Sequence, residues 1–468
     1  MRVTNRWLVL AICCLSLFIV GIDVTGLNLA LPSIQRDLDA SYAQLQWVVD
    51  AYSVVLAGLL MLAGSSGDRW GRRRVFQTGL LLFGVGSLLC SLAPTIEVLI
   101  AARAVQAVGG SMLNPVAMSI LTNTFHEARE RAQAIGIWGA TVGLSMALGP
   151  VVGGALVDAS GWRAIFWLNI PVVVIALVLT ALFVPESRAP HPRRFDPVGQ
   201  VSVMVLLTAL TFGIIEGDGR GWTSAVVLGC FLLAAAAGVV LARYERRRAE
   251  PLLDPRLFAS VPFTGAVLSA VVGYAAFAGF LFLNTLYLQD VRGLSPLDAG
   301  LLTLPMAGAT AVLSPISGRL VGKHGARPSL LLAALGITVS GIVLLGIAKD
   351  TPYGLLVVAY LAFGAGFGML NPPITNTAVS GLPRAQAGVA AAVASMSRQV
   401  GASLGVAVYG AVVSARLVGP ISTGLPDASR VGWWLMIAAG LCLGLLALWT
   451  TTAHARRTSE RAAAAITS

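Results

Sequence analysis

Long apolar segments alternate with short polar loops along the whole chain, and this alternation limits what the chain can fold into. A helix needs about 20 predominantly apolar residues to cross a bilayer. The 468 residues contain fourteen segments of this kind: 7–31, 45–64, 75–93, 96–120, 132–157, 165–184, 198–215, 224–241, 261–288, 297–320, 330–347, 354–374, 388–412 and 432–450. The pattern predicts an all-α protein that crosses a membrane fourteen times.

The basic residues are concentrated in every second loop. Of the 32 Arg and Lys residues, 23 lie at the two termini and in the even-numbered loops, 7 lie in the other loops, and 2 lie inside apolar segments. Cytoplasmic loops of membrane proteins carry the excess of Arg and Lys. We therefore predict a multi-pass protein of the inner or plasma membrane with both termini in the cytoplasm.

The composition argues against several classes of protein. Charged residues make up only 11% of the chain, whereas soluble domains typically carry about 25%. The net charge of +11 is divided among short loops, so a nucleic-acid partner is not expected. There is no GxxxxGK[ST] phosphate loop for an ATP motor, and no His/Cys spacing typical of a metal site. We expect no metal, no cofactor and no enzymatic activity.

The chain also repeats itself at an offset of about 254 residues. Residues 112–115 (Met-Leu-Asn-Pro) recur at 369–372, and residues 122–124 (Thr-Asn-Thr) recur at 375–377. Parallel repeats are common in membrane transporters, and the repeat predicts two six-helix bundles separated by two inserted helices. The predicted parts are an N-terminal bundle at 1–185, an insert at 186–260, a C-terminal bundle at 261–455 and a cytoplasmic tail at 456–468.

The loop after the second segment, residues 64–74, reads Gly-Ser-Ser-Gly-Asp-Arg-Trp-Gly-Arg-Arg-Arg. Its glycines permit a tight turn, and Asp68 can accept hydrogen bonds from a helix N-terminus or from the arginines. The loop resembles the signature loop of the major facilitator superfamily. We predict a conformational latch, with topogenic charge on a turn as the alternative. The latch residues are Gly64, Asp68, Arg69, Gly71, Arg72 and Arg73.

The fifth segment contains two glycine patterns. Small residues let helices approach closely, and a proline inside a helix removes a backbone hydrogen bond and bends it. The patterns resemble the motif that distinguishes antiporters within the major facilitator superfamily, and they favour export over uptake. The residues are Gly139, Gly143, Gly149, Pro150, Gly153 and Gly154.

Three further stretches resemble one family of that superfamily. Residues 21–32 read Gly-Ile-Asp-Val-Thr-Gly-Leu-Asn-Leu-Ala-Leu-Pro, residues 46–52 read Gln-Trp-Val-Val-Asp-Ala-Tyr, and residues 162–171 contain Trp-Arg, Phe-Trp, Asn and Pro at fixed spacing. They resemble the drug:proton antiporters with fourteen spans, which include exporters of quaternary ammonium compounds, puromycin and methylenomycin. The resemblance implies the major facilitator fold and alternating access. It also implies efflux of hydrophobic or cationic compounds driven by a proton gradient, and we expect a monomer.

Four charged residues lie deep inside the apolar segments: Asp23, Asp50, Arg103 and Arg398. Charges at this depth cost several kcal/mol and usually face a cavity or a partner. By helix rise, Asp23 lies about 13 Å, Arg103 about 10 Å and Asp50 about 7 Å from the outer ends of their segments, so the three can meet.

We predict Asp23 as proton acceptor or substrate contact, Asp50 as second acid and Arg103 as modulator. The alternative is a structural ion pair, either Asp50–Arg103 or one involving Asp23, that only positions helices. Gln106 and Asn114 share the helix face of Arg103 and are predicted to line the same cavity.

Aromatic residues of the ninth segment either line a drug pocket or pack in the core: Tyr274, Phe277, Phe280, Phe282 and Tyr287. Two other functions stay open for the whole chain. One is proton-coupled transport of a metabolite, outward or inward, by the same fold. The other is a membrane sensor or scaffold without transport, although the short loops leave no room for an effector domain.

Overall fold

The described part of the chain is almost entirely helical. The computed structural model describes residues 6–125, 127–188, 196–248, 255–379 and 384–467. Within these ranges a 3₁₀ helix at Pro255–Ala259 precedes α9 and a π-helical turn at Tyr287–Val291 follows it. The α-helices of the same ranges are α1 (Arg6–Leu38), α2 (Tyr42–Trp70), α3 (Arg72–Ser91), α4 (Ile96–Thr124), α5 (Ala128–Ser160), α6 (Arg163–Phe183), α7 (Pro197–Arg220), α8 (Ala225–Glu245), α9 (Val261–Leu286), α10 (Pro296–Leu302), α11 (Leu304–His324), α12 (Ala326–Leu344), α13 (Tyr353–Val379), α14 (Arg384–Ser414), α15 (Ile421–Thr450) and α16 (Ala453–Thr467).

Each of the fourteen predicted segments coincides with helix, and the tenth is divided between α10 and α11. Among the described residues, 12 helical segments are long and apolar enough to cross a membrane. These twelve do not include α5 and α14, which carry the fifth and thirteenth predicted spans. The chain is thus a multi-pass membrane protein, and the count of fourteen stays a prediction.

Local sequence explains where several helices begin and end. The Ser41 hydroxyl accepts a hydrogen bond from the Gln44 backbone N–H, and the Gln44 side chain accepts one from the Ser41 N–H, which is a capping box. Thr95 caps α4 through the Val98 N–H. Gly71 has a φ of 109°, a conformation that other residues rarely adopt, and it ends α2 and begins α3.

Two compact units divide the chain. Unit 1 comprises Met1–Gln200 and Ser295–Leu301, and unit 2 comprises Val201–Leu294 and Leu302–Ser468. Unit 1 therefore holds α1–α6 with most of α10, and unit 2 holds most of α7 together with α8, α9 and α11–α16. The narrower domain boundaries inferred from the sequence stay a prediction.

Helix packing inside unit 2 follows the packing inside unit 1 pair by pair. In unit 1, α1 packs on α5, α4 packs on α2 and α3, and α6 packs on α1 and α3. In unit 2, α9 packs on α14, α13 packs on α11 and α12, and α15 packs on α9 and α12. The six helices α9 and α11–α15 thus repeat the arrangement of α1–α6, as the sequence repeat predicts.

Candidate functional site

A buried carboxylate lies in the middle of α1. The Asp23 side chain has no exposed surface, and three N–H donors converge on its two oxygens. Arg103 Nη1 donates to Oδ2 over 2.6 Å, while Gln106 Nε2 and Asn169 Nδ2 donate to Oδ1 over 2.9 Å and 2.8 Å. Ser87 completes this group of residues, which we call the Asp23 cluster. Its members come from α1, α3, α4 and α6.

Hydrogen bonds within the Asp23 cluster fix the direction of each amide. Arg103 donates to Gln106 Oε1 over 2.5 Å, so the Gln106 Nε2 group is directed to Asp23 and to Ser87 Oγ, 2.7 Å away. Asn169 Nδ2 also donates to Ser87 Oγ, over 2.9 Å. Because Gln106 Oε1 already accepts from Arg103, and because the Asn169 Nδ2 group donates to Asp23 as well as to Ser87, both amides direct N–H groups and not oxygens toward Asp23. The arrangement suits a negatively charged carboxylate.

Arg103 contacts α2 and α6 as well as Asp23. Its Nε donates to the Val48 carbonyl of α2 over 3.2 Å. The guanidinium carbon lies 4.3 Å from the centre of the Tyr52 ring and 5.9 Å from that of Phe166, within the range of cation–π attraction. Only 1% of the Arg103 side chain is exposed. A buried arginine requires a counter-charge, and Asp23 supplies it.

The structure brings together part of the predicted cavity. Asp23, Arg103 and Gln106 are in direct contact, and Arg103 forms an ion pair with Asp23. Asp50 lies on α2 and is fully buried. Asn114 lies further along α4 and is half-buried. The roles assigned to these residues stay predictions.

Two members of the Asp23 cluster were not predicted from the sequence. Asn169 lies in the stretch at 162–171 that resembles the drug:proton antiporters. An amide in an otherwise apolar helix could have marked it as a polar contact inside the membrane. Ser87 gave no such signal, because serine is common in membrane helices and bonds to its own backbone there. Both are fully buried and both bond within the cluster.

The predicted latch loop makes two kinds of contact within unit 1. Asp68 accepts hydrogen bonds from Arg72 Nε and Nη2 at 3.1 Å and 2.7 Å. The Arg73 backbone N–H donates to Glu186 Oε1 over 3.1 Å, and the Arg72 N–H donates to the Ser187 carbonyl over 2.9 Å. Glu186 lies just beyond α6 and was not predicted, so the loop is clasped by the segment that follows that helix.

The other latch positions contribute less to this clasp. A Cβ on Gly71 would lie 2.7 Å from the Glu186 carboxyl, so glycine is needed there for space as well as for its φ. Arg69 is exposed. Gly64 is near Pro115, whose Cβ would be 3.7 Å from an added Cβ.

Glycines of the predicted antiporter motif bring α1 and α5 into close contact. A Cβ on Gly153 would lie 2.6 Å from Gly26 Cα, and one on Gly149 would overlap the Thr25 side chain. Gly21 faces Ser145 in the same way. These contacts lie on α1 on both sides of Asp23, so α5 fixes the position of the helix that carries the carboxylate.

The rest of the motif faces α10, within unit 1. Gly154 lies against the Pro296 carbonyl, and the Pro150 carbonyl lies against Gly300. The surroundings of Gly139 and Gly143 lie outside the described residues.

The sequence matches the Major Facilitator Superfamily over residues 13–406. The chain therefore belongs to this superfamily, a class of membrane transporters. It is 38% identical over 403 residues to the multidrug resistance protein Stp of Mycobacterium tuberculosis, covering 86% of this chain and 75% of Stp.

Two further relatives cover similar shares of the chain. The methylenomycin A resistance protein of Streptomyces coelicolor is 35% identical, covering 95% of this chain and 92% of that protein. The multidrug efflux pump LfrA of Mycolicibacterium smegmatis is 36% identical, covering 88% and 82%.

Solved structures share the fold at low sequence identity. The peptide transporter POT superposes with a TM-score of 0.71 at 17% identity, covering 96% of this chain and 95% of POT. A D-xylose–proton symporter superposes with a TM-score of 0.67 at 16% identity, covering 95% and 97%. The major facilitator fold predicted from the motifs is confirmed.

Proposed function

We propose that this protein exports hydrophobic or cationic drugs or antibiotics across the cell membrane in exchange for protons, by alternating access. The names of relatives at 35–38% identity, which describe multidrug efflux and methylenomycin resistance, support drug efflux. The glycine motif of α5 supports export. The protein acts as a monomer with both termini in the cytoplasm, and the proton gradient replaces any cofactor as the source of energy.

The Asp23 cluster carries the proposal for proton coupling. A carboxylate at bilayer depth is costly, and here three charge-assisted or amide hydrogen bonds join it to two other helices, α4 and α6. A proton on Asp23 removes the negative charge that binds Arg103. The bonds that connect α1 to α4 and α6 then weaken together, so protonation of one group changes the contacts of several helices.

Access to the cluster follows from the same geometry. Asp23 is fully enclosed in this conformation, so a proton reaches it only when the helices around it separate. Alternating access provides that opening, on one side of the membrane at a time. Asp50, buried on α2 close to the Arg103 contacts at Val48 and Tyr52, is the second acid of the proposal.

Transport of a fluorescent cation tests the proposal. Purified protein is reconstituted in liposomes with an acidic interior, the membrane potential is clamped, and uptake of rhodamine 123 is followed. The wild type is expected to accumulate the dye only while the pH gradient lasts. Asp23→Asn is expected to lose gradient-driven accumulation when equal amounts of folded protein are compared.

Asp427→Asn is the matched control, because the Asp427 side chain is 81% exposed and lies in unit 2. It is expected to transport like the wild type. Accumulation by the wild type without a gradient contradicts proton coupling. Full gradient-driven accumulation by Asp23→Asn removes Asp23 from that role.

A further inference from the structure

A ladder of aromatic rings connects α9 and α13 inside unit 2. At its inner end Phe280 and Phe363 are fully buried and stack with ring centres 4.5 Å apart. At its outer end Phe277 and Phe367 stack at 4.3 Å with planes inclined by 13°, and Tyr274 meets Phe367 edge-on at 5.2 Å. We call Tyr274, Phe277 and Phe367 the aromatic shelf.

Two rings of the aromatic shelf differ from the rest of the ladder in their exposure, while the third, Phe367, is buried. Tyr274 and Phe277 are only half-buried, whereas the inner rings are enclosed. Phe280 and Phe282 are fully buried and belong to the core. Of the two interpretations drawn from the sequence, pocket lining or core packing, these two residues follow core packing. Tyr274 and Phe277 keep part of their surface exposed, so another aromatic ring can contact them.

Arg398 lies on the face of α14 that packs on α9, the helix that carries Tyr274 and Phe277. On that face an added Cβ on Gly401 would touch the Val271 backbone and one on Gly405 the Ala275 backbone, and Arg398 itself is half-buried. Among the described residues, its buried Nη1 atom has no hydrogen-bond partner. Arg103, the other arginine deep inside a predicted span, differs from Arg398 in this respect. Its guanidinium donates hydrogen bonds to Asp23, Gln106 and Val48.

Arg398 receives no counter-charge from its own helix α14 or from the neighbouring helices α9 and α13. The sequences of α9, α13 and α14 contain no Asp or Glu. A buried guanidinium nitrogen without an acceptor loses the hydrogen bonds it had in water, at a cost of several kcal/mol at bilayer depth. An external acceptor that bonds to Arg398 removes this cost, and the site therefore favours a negatively charged group.

We propose that Arg398 and the aromatic shelf form a substrate subsite for aromatic compounds that carry a carboxylate, phenolate or similar anionic oxygen. The ring of such a compound stacks on Tyr274 and Phe277 while its anionic group accepts hydrogen bonds from the guanidinium, a planar donor that suits carboxylates. This inference rests on the proposed export function and names a substrate class for it that differs from cations.

Two dyes with the same xanthene ring system separate charge from shape. Fluorescein is anionic and rhodamine 123 is cationic, and binding of each to purified protein is measured by fluorescence polarisation. In Arg398→Gln the affinity for fluorescein relative to rhodamine 123 is expected to fall at least about tenfold, as for lost charge-assisted hydrogen bonds. Arg398→Lys keeps the charge without the planar fork, so it is expected to recover part of that ratio.

The control is Arg416→Gln, because Arg416 is exposed just beyond the end of α14; its ratio is expected to equal that of the wild type. An unchanged ratio in Arg398→Gln overturns the inference, and so does an equal loss of affinity for both dyes, which indicates a structural role. If Arg398→Gln does not fold, Arg398→Lys is used instead, and an affinity ratio of fluorescein to rhodamine 123 equal to that of the wild type overturns the subsite. Weak binding of fluorescein by the wild type also overturns it.

The two proposals fail separately. Absence of gradient-driven rhodamine 123 transport by the wild type refutes the export function. Normal rhodamine 123 transport together with fluorescein binding that does not depend on Arg398 refutes only the subsite.

Discussion

Replacing Asp23 with Asn leaves Arg103 as a buried cation without its counter-charge. Asn at this position keeps one oxygen, which can still accept from Gln106 and Asn169. The atom that replaces Oδ2 is an NH₂ group, so two donors face each other across a gap that is 2.6 Å in the wild type. Arg103→Gln creates the converse defect, a buried carboxylate without its cation.

The size of the effect follows from burial. Both side chains are at most 1% exposed, and breaking a buried pair by removing one partner costs about 3–5 kcal/mol. For a unit of about 200 residues, each kcal/mol lowers the melting temperature by about 2–4 °C. We therefore expect each single variant to melt about 6–20 °C below the wild type.

The double variant Asp23→Asn with Arg103→Gln separates stability from coupling. Two neutral amides can donate and accept across the gap, so neither position leaves an unpaired buried charge, and replacement of a whole buried pair is often close to neutral in stability. The double variant is expected to melt within a few degrees of the wild type. It has no group at position 23 that can take up a proton, so gradient-driven transport is expected to stay lost.

Melting temperatures of the four purified proteins, followed by rhodamine 123 uptake under a pH gradient, give the result. A single variant that melts like the wild type shows that the pair does not carry the energy assigned to it. A double variant that is stable and still accumulates dye with the gradient shows that the Asp23–Arg103 pair only positions helices.

Two substitutions away from the Asp23 cluster test the helix packing and the loop clasp. Gly153→Val places a side chain against Gly26 and is expected to destabilise the protein by about 1–3 kcal/mol, which lowers the melting temperature. The control is Gly229→Val on α8, where no atom lies within 4 Å of an added Cβ, and it should melt like the wild type. Equal melting temperatures of the two variants refute the contact between α5 and α1. Glu186→Ala removes the acceptor of the Arg73 N–H. The lost hydrogen bond stabilises the loop by about 1–3 kcal/mol, so hydrogen exchange of that amide should become about 10- to 100-fold faster. Glu186→Gln keeps an oxygen there and should exchange at an intermediate rate, and unchanged exchange in Glu186→Ala refutes the clasp.

Sequence reasoning located the charged residues of the site but not their partners. Asp23 and Arg103 were identifiable because a charge inside an apolar segment is a local anomaly. Whether Arg103 pairs with Asp23 or with Asp50 depends on the rotation and depth of α1 and α2 against α4. These are properties of packed helices, which no single segment encodes.

The same division applies to the loop and to the glycines. The turn at Gly71 follows from its own sequence, but its clasp by Glu186 joins residues more than a hundred positions apart. The close approach of α5 was predicted from small residues, whereas its place on α1, on both sides of Asp23, was not.

The sequence by itself determined the helices, the membrane and the family, since apolar length, loop charge and local motifs are properties of neighbouring residues. Only the tertiary structure decided that Asn169 and Ser87 join Asp23 and that, in the described part of the chain, Arg398 Nη1 has no acceptor. The physical reason is that hydrogen bonds and counter-charges depend on distances of a few ångströms between helices, and packing alone sets those distances.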